Sequence, residues 1–250
     1  MAFESGIAQW AGTREEQNDA VSLLYQGDGR GLCLLMADGI GTDKLAGRAA
    51  RTALQTMQQT YSDLKPGESL ELQTLQIVGA AHRALLRLNA EALDQGLMSS
   101  GASVGCVLTR GEKLSFCTAG NVRVFLYRSG AMLQMNRDFL LSTKAETEAV
   151  LEGQEPEIEP DWNMRITAYA GMDGLQELDW LGEPLKLMFE DRIAVMSSGL
   201  FGVIPEKEWS KIMDERSPQE SADEIVARVQ EMRKSSQSNV SVAILRFTGR

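Results

Sequence analysis

The feature that most constrains the fold of this chain is a change in the spacing of its apolar residues. Between residues 44 and 95 they recur every three or four positions, in two stretches separated by residues 65–68 (KPGE), which is typical of two long amphipathic helices. Before and after this region the spacing falls to two, in short runs bounded by turn-forming residues, which is typical of strands. Strands, two helices, strands, a helix and a last strand, without regular βαβ alternation, indicate an α+β fold with antiparallel sheets.

The individual elements can be placed from the same pattern. We predict helices at residues 44–62, 70–95 and 218–234. We predict strands at residues 20–26, 31–38, 102–109, 113–120, 122–128, 131–135, 165–171, 191–199 and 240–247. Short turn clusters (RGE, GN and RSG) separate the four strands between residues 102 and 135, so we expect these four to form one antiparallel meander. The pattern indicates a single domain over residues 1–250.

Composition excludes several classes of partner. The chain has 35 acidic and 25 basic residues, a net charge of −10 and a pI of about 4.8. Nucleic acids and anionic membranes are bound by fields of Lys and Arg that this chain lacks, so we expect neither as a partner. No apolar run approaches the roughly 18 residues that would cross a bilayer, and the first residues do not resemble a secretory signal. We therefore expect a cytoplasmic protein.

The cysteines and the histidine do not indicate a site. Cys33, Cys106 and Cys117 are odd in number and lie in apolar strand-like runs without CxxC spacing, so we expect buried free thiols rather than disulfides or a zinc site. His82 lies in a helical stretch, and no GxSxG turn accompanies it. We expect a packed or surface residue rather than a catalytic base.

The most asymmetric segment is residues 145–161 (AETEAVLEGQEPEIEPD), which has seven acids and no base. Its charge of −7 accounts for most of the net charge of the chain. One interpretation is a solvated loop that only contributes solubility. The other depends on where the segment lies relative to the functional site.

Two placements of carboxylates are compatible with metal chemistry. Asp38 follows the apolar run LLMA at a predicted strand end and precedes Gly39, which would let the chain turn and its carbonyl face a ligand. Arg14 stands five residues before Asp19, and a guanidinium near a metal-binding acid suits a phosphate. Each has an ordinary alternative, a turn-capping Asp in the first case and a surface ion pair in the second.

Six separated segments, in order, resemble one family. GTREEQND is similar to the R-x-x-N-E-D opening of the metal-dependent PPM (PP2C-type) serine/threonine protein phosphatases, and LLMADGIGTDKLAGRAA to V-A-D-G-M-G-G-H and the first helix. The stretch from SSGASVG to QMNRDF resembles the G-T-T, A-N-V-G-D-S-R-A-Y-L and L-T-x-D-H segments. RITAYAG and DRIAVMSSGLFGVI resemble I-T-x-A-L-G and D-x-L-L-L-C-S-D-G-L-x-D-V-L, and QSNVSVAILRF the closing D-N-V-T-V strand. The resemblance implies a four-layer αββα sandwich, with two antiparallel sheets flanked by helix pairs.

The resemblance also implies a site, and the chain departs from it. In the family, acids from these motifs hold a binuclear Mg²⁺ or Mn²⁺ centre, whose bridging water attacks a phosphoserine or phosphothreonine. The opening Arg orients the phosphate. Retained here are the phosphate-binding candidate Arg14 and the vestigial metal positions Asp19, Asp38 and Gly39. The acids are replaced at four metal-ligand positions, which are Asn18, Asn121, Ser198 and Ser238, and the Asp of L-x-D-V-L falls at Gly202.

These replacements indicate a degenerate metal site. The affinity of an oxygen site for Mg²⁺ depends on its carboxylates, so losing three or four charges should weaken binding by several kcal/mol and leave no cofactor or only weak Mg²⁺ or Mn²⁺. We therefore expect a PP2C-like pseudophosphatase, inactive or very weakly active, that regulates by binding a protein. The alternative is an active Mn²⁺- or Mg²⁺-dependent phosphatase with a rearranged site, in which Asp43 or Asp173 joins Asp19, Asp38 and the Gly39 carbonyl.

The resemblance places residues 139–164 at a variable flap beside the active site, and this range contains the acidic segment. We call it the acidic flap. Its charge would repel phosphorylated substrates from a cleft without cations, which favours a basic protein partner or no ligand. A kinase and its phosphorylated target are the partners that the family's chemistry suggests.

Overall fold

The computed structural model describes residues 2–27, 29–175 and 177–249, and the side chains of Asp43, Glu206, Lys207 and Glu215 lie outside the described set. The described strands are β1 (Phe3–Trp10), β2 (Asp19–Gln26), β3 (Gly31–Ile40), β4 (Gly101–Arg110), β5 (Lys113–Ala119), β6 (Arg123–Arg128), β7 (Ala131–Gln134), β8 (Asp179–Trp180), β9 (Leu185–Lys186), β10 (Arg192–Met196) and β11 (Val240–Phe247). The described helices are α1 (Asp43–Asp63), α2 (Leu70–Asp94), α3 (Leu141–Glu152), α4 (Glu206–Glu215) and α5 (Pro218–Glu231), with short 3-10 turns at Trp162–Met164 and Ser198–Leu200.

The strands form two antiparallel sheets. The first has the order β1-β11-β10-β6-β7, and the second has the order β2-β3-β4-β5-β8, with β9 also paired to β5. Helices α1 and α2 pack on the second sheet, and α5 packs on β1 and β11 of the first. The resulting layers are helix, sheet, sheet, helix, as the α+β prediction and the resemblance both indicated.

Three apolar clusters hold these layers together. One lies between the helix pair α1 and α2 and the second sheet, and includes Tyr61, Leu85 and Cys106. A second lies between the sheets, and a third lies between the first sheet and the helices α4 and α5. Burial on both faces explains the nearly continuous apolar sequence of β3 and β4. All three cysteines are buried free thiols, as predicted.

The helix boundaries follow from capping residues. Ser69 accepts a hydrogen bond from the amide of Leu72 at the start of α2. Ser217 and Glu220 form a capping box at the start of α5, with Pro218 in the first turn, where its missing N–H costs nothing. Within the described part of the chain, no helix has the length and apolar character that crossing a membrane requires.

Several predicted elements are wrong in detail. The four strands between residues 102 and 135 are not one meander: β4 pairs with β5 and β6 pairs with β7, and the chain crosses between the sheets at Gly120–Asn121. Residues 165–171 are not a continuous strand but make single bridges at Ile166 and Ala170. The acidic segment is not only a loop, since α3 occupies its first half.

Strand β1 and helix α4 were not predicted. Strand β1 begins two residues into the chain, and its neighbour in the sheet is the last strand, β11, so no local sequence signal marks the pairing. The α4 sequence (EKEWSKIMDE) carries few apolar residues, and the contacts that hold it come from the first sheet and α5.

Candidate functional site

The candidate site is built on two carboxylates at one end of the second sheet. Asp19 opens β2 and Asp38 lies near the end of β3, and the antiparallel register places them directly opposite each other. Opposite residues of an antiparallel pair put their side chains on the same face, about 5 Å apart. The strand register therefore brings Asp19 and Asp38 together, which their separation in the sequence alone did not show.

Gly39 serves close packing and not a turn. It lies inside β3, where a Cβ would come within 2.2 Å of the carbonyl oxygen of Ala46 in α1. Its amide donates to the carbonyl of Asn18 at 3.1 Å. The turn that we expected at Gly39 comes two residues later, at Gly41, which has a φ of 137°.

The first sheet supplies hydroxyl groups that face the two carboxylates. The Ser198 amide and hydroxyl both donate to Asp38 Oδ2, at 3.1 and 2.6 Å. The Ser241 hydroxyl donates to Asp19 Oδ2 at 2.8 Å. Ser198 follows β10 and Ser241 belongs to β11, so these contacts join the two sheets at the site.

Burial and mutual repulsion change the acidity of the pair. Burial and the charge of Asp38 raise the pKa of Asp19 well above its usual range, against the opposing effect of the Ser197 and Ser241 hydroxyls. Burial also raises the pKa of Asp38, although the Ser198 donors oppose the rise. The pair thus retains protons more readily than two separate carboxylates would.

A cleft of about 560 Å³ lies beside the two carboxylates, and most of the predicted residues line it. Arg14, Asn18, Asp38, Gly39, Asn121, Ser198 and Ser238 all line it, whereas Asp19 is buried beneath. Met164 and Ile166, from the end of the acidic flap and the residues after it, form part of its wall, and Lys234 lies on its rim. Of the two extra acids considered above, Asp173 is exposed and does not line the cleft, and the Asp43 side chain lies outside the described residues.

Asn239 is a site residue that the sequence analysis did not single out. Its side-chain amide donates to the carbonyls of Ala11 and Glu16, at 2.7 and 3.0 Å, and its Oδ1 accepts from the amide of Asn18 at 3.0 Å. These bonds tie the loop that carries Arg14 to the start of β11. The NV pair in QSNVSV, quoted for the closing strand, was the signal that could have found it.

The donor set does not fit a binuclear Mg²⁺ or Mn²⁺ centre. Among the described residues, no three His, Cys, Asp or Glu side chains are grouped so that they could hold a metal. The Asn121 Oδ1 accepts from Ser103 at 2.9 Å. The Asn18 Oδ1 is buried and has no hydrogen-bond partner among the described residues, but it lies against Gly47 of α1, where an added Cβ would be 2.6 Å away. A hard divalent ion needs several free oxygen ligands, and here two carboxylates that accept protein donors remain.

Comparison with known proteins agrees with the architecture. The family model for protein phosphatase 2C matches residues 12–234. The chain belongs to the protein phosphatase 2C family. No curated protein matches this PP2C-family chain by sequence.

Solved structures show the same PP2C fold. The Mycobacterium tuberculosis serine/threonine phosphatase PstP/Ppp is 20% identical, with a TM-score of 0.81 over 99% of this chain and 100% of its own. PppA, described as a key regulatory component of T6SS in Pseudomonas aeruginosa, is 17% identical, with a TM-score of 0.80 over 98% of each chain. A catalytic domain of PstP in complex with two manganese ions is 19% identical, with a TM-score of 0.76 over 98% of each chain. At these identities the likeness concerns the fold.

Proposed function

We propose that this PP2C-family chain is a pseudophosphatase, a regulatory module that binds a protein partner and hydrolyses phosphate very weakly or not at all. The observation that carries the proposal is the double hydrogen bond from Ser198 to Asp38 Oδ2. The resemblance places a metal-binding acid at residue 198, whereas the serine present donates two hydrogen bonds to the carboxylate that a metal would need. The retained carboxylates thus have hydrogen-bond donors within the protein, which suits a cleft without metal.

The proposal extends to the cofactor, location and partner. We infer that the protein binds Mg²⁺ and Mn²⁺ weakly or not at all, that it is cytoplasmic, and that a kinase or a phosphoprotein is its partner. The donor set supports the first inference, since removing carboxylates lowers the affinity of an oxygen site. The others follow from the sequence and from the chemistry of the family.

One experiment tests the proposed inactivity directly. The purified protein is incubated with an aryl phosphate and with a phosphothreonine peptide, each in millimolar Mn²⁺ and in chelator. We expect no phosphate release above background in either condition. Manganese-dependent turnover that Asp38→Ala abolishes would overturn the proposal.

A second measurement adds a positive control. The double variant Ser198→Asp with Ser238→Asp returns carboxylates to two positions on the cleft, and the control Ser5→Asp with Ser62→Asp adds the same charge at exposed positions that do not line it. In calorimetric titration with Mn²⁺, we expect the first variant to bind more tightly than the wild type. Equal gains in both double variants would indicate a general charge effect and not a site.

The second candidate is an active phosphatase with a rearranged site. It is favoured by one observation, that Arg14, Asp38 and Gly39 line the same cleft. The turnover experiment decides between the two functions, since only an active enzyme would lose Mn²⁺-dependent activity through Asp38→Ala.

A further inference from the structure

A second groove lies between α3 and the segment that follows the flap, apart from the cleft of the candidate site. It has a volume of about 340 Å³. Its apolar floor consists of Phe139, Leu140, Ala168, Met172 and Leu175. We call it the flap groove. Its volume lies at the lower end of the range for ligand pockets, enough for one or two bulky side chains.

The floor of the flap groove is preformed. Phe139 and Leu140 are buried, and backbone hydrogen bonds join this stretch to the segment after the flap, from Thr167 N to Phe139 O at 2.8 Å and from Leu141 N to Arg165 O at 2.9 Å. Arg137 covers one side, with its guanidinium over the Phe139 ring and an ion pair to Glu177 at 3.0 Å. A ligand would therefore meet a floor that is already packed and hydrogen-bonded, so little of the protein would become ordered on binding.

Helix α3 supplies the opposite wall and leaves apolar residues in water. Thr143 and Thr147 line the groove, and Leu151 is one turn further on the same helix face. Leu151 and its neighbour Val150 are 81% and 75% exposed. Nothing in the described part of the chain covers these two side chains, so the apolar surface continues from the groove along the helix.

Charge identifies what would cover this surface. Residues 137–177, which contain the flap groove and the flap, carry ten acids and three bases. All three bases are already in ion pairs, Arg137 with Glu177, Lys144 with Glu148 and Arg165 with Asp161. Glu152 is the last residue of α3, where the helix dipole disfavours a negative charge. A cationic partner would relieve this repulsion, whereas an anionic one would add to it.

We propose that the flap groove and the exposed end of α3 dock a basic amphipathic segment of a partner protein, with a bulky apolar residue inserted into the groove and Lys or Arg side chains facing the flap acids. This deepens the proposed function, because it assigns the chemistry of the partner that a protein-binding regulator requires. The groove, and not the phosphatase cleft, supplies the contact.

The test uses the full-length protein in chelator and two labelled synthetic peptides in fluorescence anisotropy. One peptide is lysine-rich with a single tryptophan, and the other has serine in place of the tryptophan. We expect the tryptophan peptide to bind at least about tenfold more tightly, the gain from burying one large apolar side chain. Added salt should weaken both peptides. Equal binding of the two would indicate charge attraction alone and overturn the proposal.

Protein variants locate the docking surface. Leu151→Ser removes the exposed anchor, and Thr147→Arg places a cation in the groove. Each should cut the advantage of the tryptophan peptide to about threefold or less, because less apolar surface of the peptide would then be buried. The matched controls Leu93→Ser and Ser99→Arg, at exposed positions in and after α2, should leave it unchanged. Wild-type binding by both groove variants, or equal losses in the controls, would overturn the proposal.

Circular dichroism of each variant distinguishes unfolding from a weakened docking surface. The peptide measurements need no turnover, so they are independent of the proposed inactivity. If the protein hydrolyses aryl phosphate in Mn²⁺ while the peptide results hold, the pseudophosphatase proposal fails alone. If no turnover occurs and the two peptides bind equally, the groove proposal fails alone.

Discussion

Replacing Asp19 by Asn should stabilise this protein at neutral pH. Asp19 and Asp38 stand opposite each other in register, and two charges about 5 Å apart repel by about 3 kcal/mol at an effective dielectric constant of about 20. An Asn at residue 19 would keep an acceptor for Ser241 and could donate its amide to Asp38. Because protons and hydroxyl donors already relieve part of the repulsion, we expect a gain of about 1–2 kcal/mol, which corresponds to about 2–8 °C in melting temperature.

The pH dependence gives this prediction its sign. The folded protein raises the pKa of Asp19 above its ordinary value of 3.8, so between the two values the folded state binds more protons than the unfolded state. The stability of the wild-type protein therefore falls as the pH rises through this window. Above the window, the whole cost of ionising the buried Asp19 is present. The advantage of Asp19→Asn should be largest at neutral pH and should shrink as the pH falls toward 4.

Urea unfolding in chelator, repeated across this pH range, measures the difference. Asp94→Asn, at an exposed carboxylate on α2, is the control and should show no comparable change. A variant that is less stable than the wild type at neutral pH would refute the reasoning. So would a rise of several degrees in the wild-type melting temperature in millimolar Mn²⁺ that Asp19→Asn abolishes, because ligand binding to the folded state would then be using the carboxylate.

Three further predictions concern hydrogen bonds and close packing in the fold. Asn239→Ala removes three hydrogen bonds to the loop that carries Arg14 and should cost about 2–4 kcal/mol in urea unfolding, whereas Asn163→Ala, at an exposed residue, should be neutral. Gly39→Ala meets the Ala46 carbonyl at 2.2 Å and should cost about 1–3 kcal/mol; an unchanged melting temperature would show that β3 and α1 can separate freely. The Nδ1 of His82 accepts a hydrogen bond from the Gly171 amide at 3.2 Å, and burial lowers the pKa of this side chain. The contribution of His82 to the stability of the fold is therefore present above pH 6.5 and is lost as the pH falls. His82→Gln should reduce the loss of stability between pH 7 and pH 5, as measured by melting curves. The expected difference is about 1 kcal/mol or less, because the side chain is half-exposed.

The three longest helices, α1, α2 and α5, and most strands could be predicted because their signals are local. The helical periodicity of α1 and α2 and the short apolar runs of β2, β3 and β11 lie within single segments, and the structure confirms these elements to within a few residues. The crossing between β5 and β6 could not be predicted in this way. The Gly and Asn at residues 120 and 121 suit a two-residue hairpin turn and a crossover between sheets equally well. Which of the two forms depends on the sheet that buries the next strand.

Most residues of the candidate site could be predicted from local motifs, but the contacts between them could not. Motif order placed Arg14, Asn121, Ser198 and Ser238 on one cleft, although they come from four separate segments. The hydrogen-bond partner of each side chain could not be predicted from the sequence. The contribution of Asn239 depends on the loop that it holds, and the turn expected at Gly39 was wrong because close approach of α1, and not a positive φ, requires the glycine.

The acids of this chain are distributed according to what can neutralise them. At the candidate site, each remaining carboxylate faces hydroxyl or amide donors from the opposite sheet, so the pair can be buried without an added cation. On the flap, Glu152, Glu155, Glu157 and Glu159 lie in water, none of them in a described ion pair, beside exposed aliphatic residues. The carboxylates of the site have their hydrogen-bond donors within the protein, whereas the flap acids would be neutralised by positive charge from a partner. If a cation acts on this protein, the flap is therefore where we expect it, carried by a partner and not held as a metal in the cleft.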